Sequence, residues 1–303
     1  LETVRGFYGK TGSIIEGAPL PRVPKVSVIV CSYNCGQTLE ACLRSLKKVN
    51  YPDYEVVLVD DGSTDNTKEI VSHHPWVNAI HQPNMGLSVA RNVGAAHATG
   101  EIIAYTDSDC MADPDWLYYL VGTLLSGNYA GVGGPNISPP AQNWQQACVA
   151  AAPGGPSHVL LTDVVAEHIP GCNMAFHRWA FDKIGGFDPE YRKAGDDVDF
   201  CWRLQQEGDV IAFSPSAIVW HYRRFTLKAF RKQQEGYGEA ESLLRFKHLV
   251  FFGPTGTAKW KGQVYGAPRF TWLVNQPVIY HGVFGEGLFQ LSLIHISEPT
   301  RPY

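Results

Sequence analysis

Apolar residues in the first half of this chain fall in short blocks, each closed by a polar cluster. Residues 26–30 form a β-branched apolar run, the mark of a strand buried on both faces. Leu39, Cys42, Leu43 and Leu46 follow at helical spacing, which predicts a helix over 39–48 with Thr38 as its N-cap. Residues 55–59 repeat the buried-strand pattern and lead through a polar turn to a helix over 64–72. A third strand is expected at 79–81, a helix at 87–97 and a fourth strand at 102–106. A helix over 114–125, with proline in its first turn, completes the half. This alternation predicts an α/β fold: an open, mostly parallel, Rossmann-like sheet with right-handed crossovers, flanked by helices. Ligands in such sheets gather outside the carboxyl ends of the strands. The polar clusters 32–34, 60–65 and 107–109 follow strands one, two and four, so that one rim is the expected site.

The second half is less regular. Strands are expected near 132–134, 173–176 and 211–213, a helix near 198–207, and a separate, strongly polar helix over 226–248. The chain therefore divides into a lead-in (1–24) carrying Pro19, Pro21 and Pro24, a main domain (25–225), a C-terminal helical or irregular extension (226–290) and a tail (291–303). The tail reads LSLIHISEPTR from Leu291 to Arg301 and resembles the translation of a sequencing adapter, so it is set aside as non-native. The first residue is Leu and not Met, so a fragment is expected, and read-through into such a tail implies that the native C-terminus is missing.

Composition narrows the class. The 303 residues are 45% hydrophobic and 18% charged, which suits one large globular domain with an appendage. A formal charge of -4 gives no general attraction to nucleic acid, and an anionic ligand would need a local remedy such as a metal ion. Seven scattered cysteines do not make a disulfide framework, so reduced thiols in a cytoplasmic setting are expected. Cys31 and Cys35 have the spacing of half a zinc site, but no second pair follows. No run of 18 apolar residues could span a bilayer, whereas the 226–248 helix could lie at the cytoplasmic face of a membrane as a peripheral contact.

Three clusters carry chemistry. Asp107 and Asp109, one residue apart at a strand end, form a hard-oxygen half-site suited to Mg²⁺ or Mn²⁺. An ion there would let a nucleotide diphosphate sit beside the acids and would assist its departure. After strand two, a carboxylate such as Asp61 can accept from a pyrimidine N–H or a ribose hydroxyl; the plain alternative is helix capping by Ser63 or Thr64. At 195–199, Gly195 leads into a helix opened by Asp196, Asp197 and Asp199. These acids complement the helix dipole, or Asp197 serves as general base for an acceptor hydroxyl. His221 is a third metal ligand or a core histidine, and Arg91 approaches the donor or braces the loop 84–88.

The segments VSVIVCSYN, VVLVDDGSTD, NMGLSVARNVG, YTDSD, GCNMAFHR, IGGFDP and GDDVDFCWR occur in this order. Over about residues 25–225 they resemble the family 2 glycosyltransferases. The resemblance implies a GT-A fold, a nucleotide-diphospho-sugar donor, a divalent cation (Mn²⁺ or Mg²⁺) and inversion by single displacement. It also implies a carbohydrate or lipid-linked acceptor. Carried over by position, it implies that Ser32 and Asn34 line the nucleoside pocket, Asp61 binds the base and Asp107 lies on the ribose side. Asp109 and His221 would hold the metal, and Asp197 would be the catalytic base. The segment 171–174, with Gly171, Cys172 and Asn173, would face the acceptor. Asp196 stands where the family usually has Glu. The processive enzymes' Gln-x-x-Arg-Trp motif is not reproduced at 233–237, which implies single addition in cell-surface polysaccharide or glycolipid synthesis. A nucleotidyltransferase would need a basic Gly-rich loop after strand one, where this chain has CSYNCGQ. An inactive or truncated sugar-nucleotide-binding fragment is the other alternative.

Overall fold

A computed structural model of the protein describes residues 20–151, 158–223 and 226–252. The lead-in up to residue 19, most of the 226–290 extension and the 291–303 tail lie outside the described residues. Four parallel strands form the first half of the sheet: β1 (Val26–Ser32), β2 (Tyr54–Asp60), β3 (Asn78–His81) and β4 (Ile102–Asp107), in the order β3-β2-β1-β4. Helices α1 (Leu39–Leu46), α2 (Thr67–Ser72) and α3 (Leu87–His97) make the crossovers. Then come β5 (Cys110–Ala112), α4 (Trp116–Leu125), β6 (Gly131–Gly133), β7 (Asn136–Ile137), α5 (Trp144–Ala151), β8 (Val159–Leu160) and β9 (Val165–His168). The chain continues through β10 (Asn173–His177), α6 (Arg178–Lys183), α7 (Asp196–Gln206), β11 (Ile211–Phe213), β12 (Val219–His221) and α8 (Leu227–Lys247) to a 3₁₀ turn (Leu249–Phe251).

The nine-stranded sheet runs β3-β2-β1-β4-β10-β6-β11-β9-β8, and β10 enters antiparallel to β4. A second sheet of three short strands, β5-β12-β7, lies beside it. Alternation within β1 divides the core. Val26, Val28 and Val30 pack with α1 and α4 residues such as Leu43 and Leu120, while Ile29 packs on the other face with Ala95, Phe187 and Phe200. Both faces of this strand are therefore covered, which is why its sequence shows no polar alternation. On α1 the buried positions are Leu39, Cys42, Leu43 and Leu46, as the spacing predicts. Thr38 occupies the N-cap position without a side-chain cap; its hydroxyl reaches only the Cys35 carbonyl, at 3.4 Å. The next helix begins at Thr67 and not at residue 64, with Asp65 accepting from the Thr67 amide at 3.1 Å. The polar turn after β2 is thus longer than its pattern implies.

The helix expected as a separate polar element does pack. Leu244 of α8, with Phe251 and Phe252, closes a small cluster on Tyr191 and on Trp202 of α7. Trp202 and Phe251 stack with ring centroids 4.2 Å apart and planes 4° from parallel. No helix among the described residues is long and apolar enough to cross a membrane.

Candidate active site

Parallel pairing in register places the strand ends side by side: Ser32 lies opposite Asp60, and Cys31 opposite Asp107. The loops that leave these ends stitch to one another. Asn34, with φ 51°, donates its amide to Ser63 Oγ at 2.9 Å and accepts from the Thr64 amide at 2.8 Å. Ser32 is buried, its hydroxyl 2.8 Å from Cys35 Sγ and its carbonyl accepting from the Asp61 amide. Asp61 is also buried. Its carboxylate accepts from Gln82 Nε2 at 2.7 Å, the Met85 amide at 2.8 Å and the Gly86 amide at 2.9 Å. Most of its acceptor capacity is thus spent holding the loop that starts α3. Ser32, Asn34 and Asp61 together form one end of the rim.

At the centre Asp107 ends β4, and Asp109 follows one residue later, before β5 turns back. Burial raises the Asp107 carboxyl above its ordinary range, Arg91 opposes this, and the nearby Asp109 charge adds to it. Two acids so crowded fit a divalent cation, whose charge would remove the repulsion. Asp109 Oδ1 lies 3.4 Å from His221 Nε2. Pairing of β12 with β5 puts His221 opposite Cys110 and so brings this histidine from far along the chain. Although burial disfavours its charge, Asp109 lifts the His221 pKa to about 9. Its Nδ1 is buried without a hydrogen-bond partner among the described residues.

Arg91 of α3 joins the halves of the site. It is 3% exposed, pairs closely with Asp196 Oδ2 and lies 3.4 Å from Asp107 Oδ1. Burial pushes Asp196 up to about 6, against the pull of Arg91 and with the push of Asp197. The backbone at Gly171 passes over the guanidinium so closely that a Cβ there would sit 2.3 Å from Arg91 Nη2. Its amide donates to Asp197 Oδ2 at 2.7 Å, and the other Asp197 oxygen accepts from the Val198 amide at 2.9 Å. The turn into α7 needs Gly195, with φ 82° in the left-handed region.

These groups line a cavity of about 410 Å³ that holds Asp107, Arg91, Gly171, Cys172, Asp196 and Asp197. Asn173 turns away from it. Its side chain accepts from Trp116 Nε1 and donates to the Pro135 and Ala217 carbonyls, bracing the sheets from within. A smaller cavity of about 330 Å³, near β9 and β11, lacks these acids.

Sequence reasoning missed the α8 wall of the main cavity. Tyr237, Ala240 and Leu244 line it together with Trp202. Their i, i+3, i+7 spacing marks one helix face, but the polar residues between them hide it. It also missed that Cys110 and Cys172 sit beside His221. No spacing along the chain could show this, since Cys110 and Cys172 are 62 residues apart.

The family model described as "Glycosyl transferase family 2" matches residues 27–185. A pre-mycofactocin glycosyltransferase of Mycobacterium tuberculosis is 27% identical over 283 residues, covering 91% of this chain and 56% of the relative. The chain thus spans little more than half the length of that relative. Among solved structures, S. aureus TarS (residues 1–349) in complex with UDP is 20% identical with a TM-score of 0.55, over 74% of this chain and 65% of that one. The mannosyltransferase PcManGT from Pyrobaculum calidifontis, in complex with GDP-Man and Mn²⁺, is 23% identical with a TM-score of 0.57, over 83% and 73%. These two likenesses show the fold, which is GT-A.

Proposed function

This chain belongs to glycosyl transferase family 2, and from that premise we propose that it moves a sugar from a nucleotide-diphosphate donor to an acceptor hydroxyl with inversion. The observation that carries the reading is the meeting of two acid sets in one place. Asp107 comes from the end of β4 and Asp197 from the start of α7, and both line one cavity beside Arg91. Ser32, Asn34 and Asp61 shape the nucleoside end of the rim, and Asp107 stands on the ribose side. Asp109 and His221 would hold Mn²⁺ or Mg²⁺. When bound, the cation supplies Lewis-acid stabilisation of the departing diphosphate. Arg91 fixes Asp107 and Asp196, so Asp196 acts by positioning.

Asp197 takes the proton from the acceptor hydroxyl as that oxygen bonds to the sugar's anomeric carbon, and the bond to the diphosphate breaks on the opposite face. The Gly171 amide donates to Asp197 and holds one oxygen of this cavity-lining carboxylate. A UDP-sugar is the favoured donor, supported by the UDP bound to TarS. A carbohydrate or lipid-linked acceptor, single addition, and work at the cytoplasmic face of a membrane complete the reading. Donor hydrolysis should be screened across UDP-, GDP- and dTDP-sugars with Mn²⁺ present, followed by NMR of the product anomer. Hydrolysis of one UDP-sugar class and an inverted product are expected. A retained anomer, or no donor consumed, would overturn the reading.

A further inference from the structure

Cys110, Cys172 and His221 come from three places in the chain and meet in the interior. Cys110 opens β5, Cys172 directly precedes β10, and His221 ends β12 opposite Cys110. One ligand atom from each lies within 4.8 Å of the other two. All three residues are at least 96% buried, with exposures of 0%, 1% and 4%. The His221 ring has two nitrogens to satisfy. Nε2 faces Asp109, whereas Nδ1 is buried with no hydrogen-bond partner among the described residues. An unsatisfied buried polar atom is costly, and a bound ion is one of the few things that satisfies it.

We propose that Cys110, Cys172 and His221, the last through Nδ1, form a site for one thiophilic divalent ion of the zinc class, with its fourth position open. Two thiolates and an imidazole select such an ion over Mg²⁺ or Mn²⁺, which prefer oxygen. With bonds of about 2.0–2.3 Å, ligand atoms of a tetrahedral site stand about 3.3–3.8 Å apart. The three atoms here need to close by no more than about 1.5 Å to reach that spacing.

The site shares His221 with the hard-ion pair proposed at Asp109. Closing the thiolate site on Nδ1 draws the ring towards Cys110 and Cys172 and its Nε2 away from Asp109, so zinc would antagonise Mn²⁺ while leaving Asp107 and Asp109 in place. The thiolate site itself does not depend on the Mn²⁺ reading, and the two are separable by experiment.

The test titrates metal-free protein with Co²⁺, a spectroscopic stand-in for Zn²⁺, under reducing conditions. One ion per chain is expected, with thiolate-to-cobalt charge transfer in the ultraviolet and the strong visible absorption of four-coordination. Cys110→Ser and Cys172→Ser should each weaken the charge transfer and lower Zn²⁺ affinity at least about tenfold. Cys201→Ser, a buried thiol outside the cluster, should change neither. If the serine variants do not fold, the parent spectrum decides alone: Co²⁺ bound without thiolate charge transfer overturns the proposal, as does no binding. Mn²⁺-dependent UDP binding, followed by calorimetry, is the second readout. It should survive in Cys110→Ser and fall when Zn²⁺ is added to the parent. Asp109→Ala should lose it yet keep the cobalt–thiolate band, which separates failure of the hard-ion reading from failure of this one.

Discussion

Arg91 is the residue on which the geometry turns, because an acid from each half of the chain leans on it, Asp196 fully buried and Asp107 half-buried. Breaking a buried pair by removing one partner leaves an uncompensated charge, which costs about 3–5 kcal/mol. Arg91→Met should therefore destabilise the protein by that order in urea denaturation. Pairing it with Asp196→Asn should recover a large part, and a double-mutant cycle with no coupling would contradict the picture. Asp109 makes a cleaner test of ligand binding, since it is partly exposed and can be removed without opening the core. Asp109→Ala should abolish Mn²⁺-dependent affinity for UDP in calorimetry while leaving the melting temperature near that of the parent. Equal metal-dependent affinity in both would remove the ion from Asp109. Of these residues, Asp107 and Asp109 were legible from a strand followed by Asp-x-Asp. The link from Arg91 to Asp196 was not, because an ion pair between residues 105 apart leaves no periodic trace.

At the scale of elements, α8 is held to the main domain by charge as well as by rings. Asp199, fully buried on α7, accepts from Arg203 Nε at 2.8 Å, His248 Nε2 at 2.7 Å and Lys247 Nζ at 2.7 Å. Burial opposes its ionisation, but His248, Lys247 and Arg203 prevail and hold the carboxyl below its ordinary 3.8. A depressed folded pKa adds stability above the unfolded value, and that stability is lost as pH falls through the folded one. The contact should thus persist at neutral pH and fail only below about 3.8. Trp202 fluorescence followed against pH should show an acid transition in the parent that is reduced in Asp199→Asn. Identical acid limbs would mean that Asp199 does not hold α8. The aromatic half of the contact is testable through Trp202→Ala, which should cost about 3–5 kcal/mol by loss of buried area and the cavity left behind. The docking of this helix was hidden in the sequence because its apolar positions, Ala240 and Leu244, are few among charged neighbours.

For the whole molecule, the first half of the fold was legible because parallel strands buried on both faces read as unbroken apolar runs. Cores of this kind also force their loops onto one rim, so the rim could be placed from three polar clusters alone. Beyond β4 the strands shorten to as few as two residues and pair in both directions, and β5, β7 and β12 form a separate sheet. Elements so short have no period to detect, and with them went the route that carries His221 to Asp109. The proposed division of labour is between halves: β4 and the rim would hold the donor, and α7 would supply the base. Asp197→Asn tests it most directly, since the change keeps shape and removes charge. Donor affinity measured by calorimetry and turnover measured with saturating donor should separate. Affinity should stay near the parent's while turnover falls by about two to four orders of magnitude. Near-parental turnover in Asp197→Asn would contradict the claim, leaving Asp197 as a helix-opening acid and the base elsewhere.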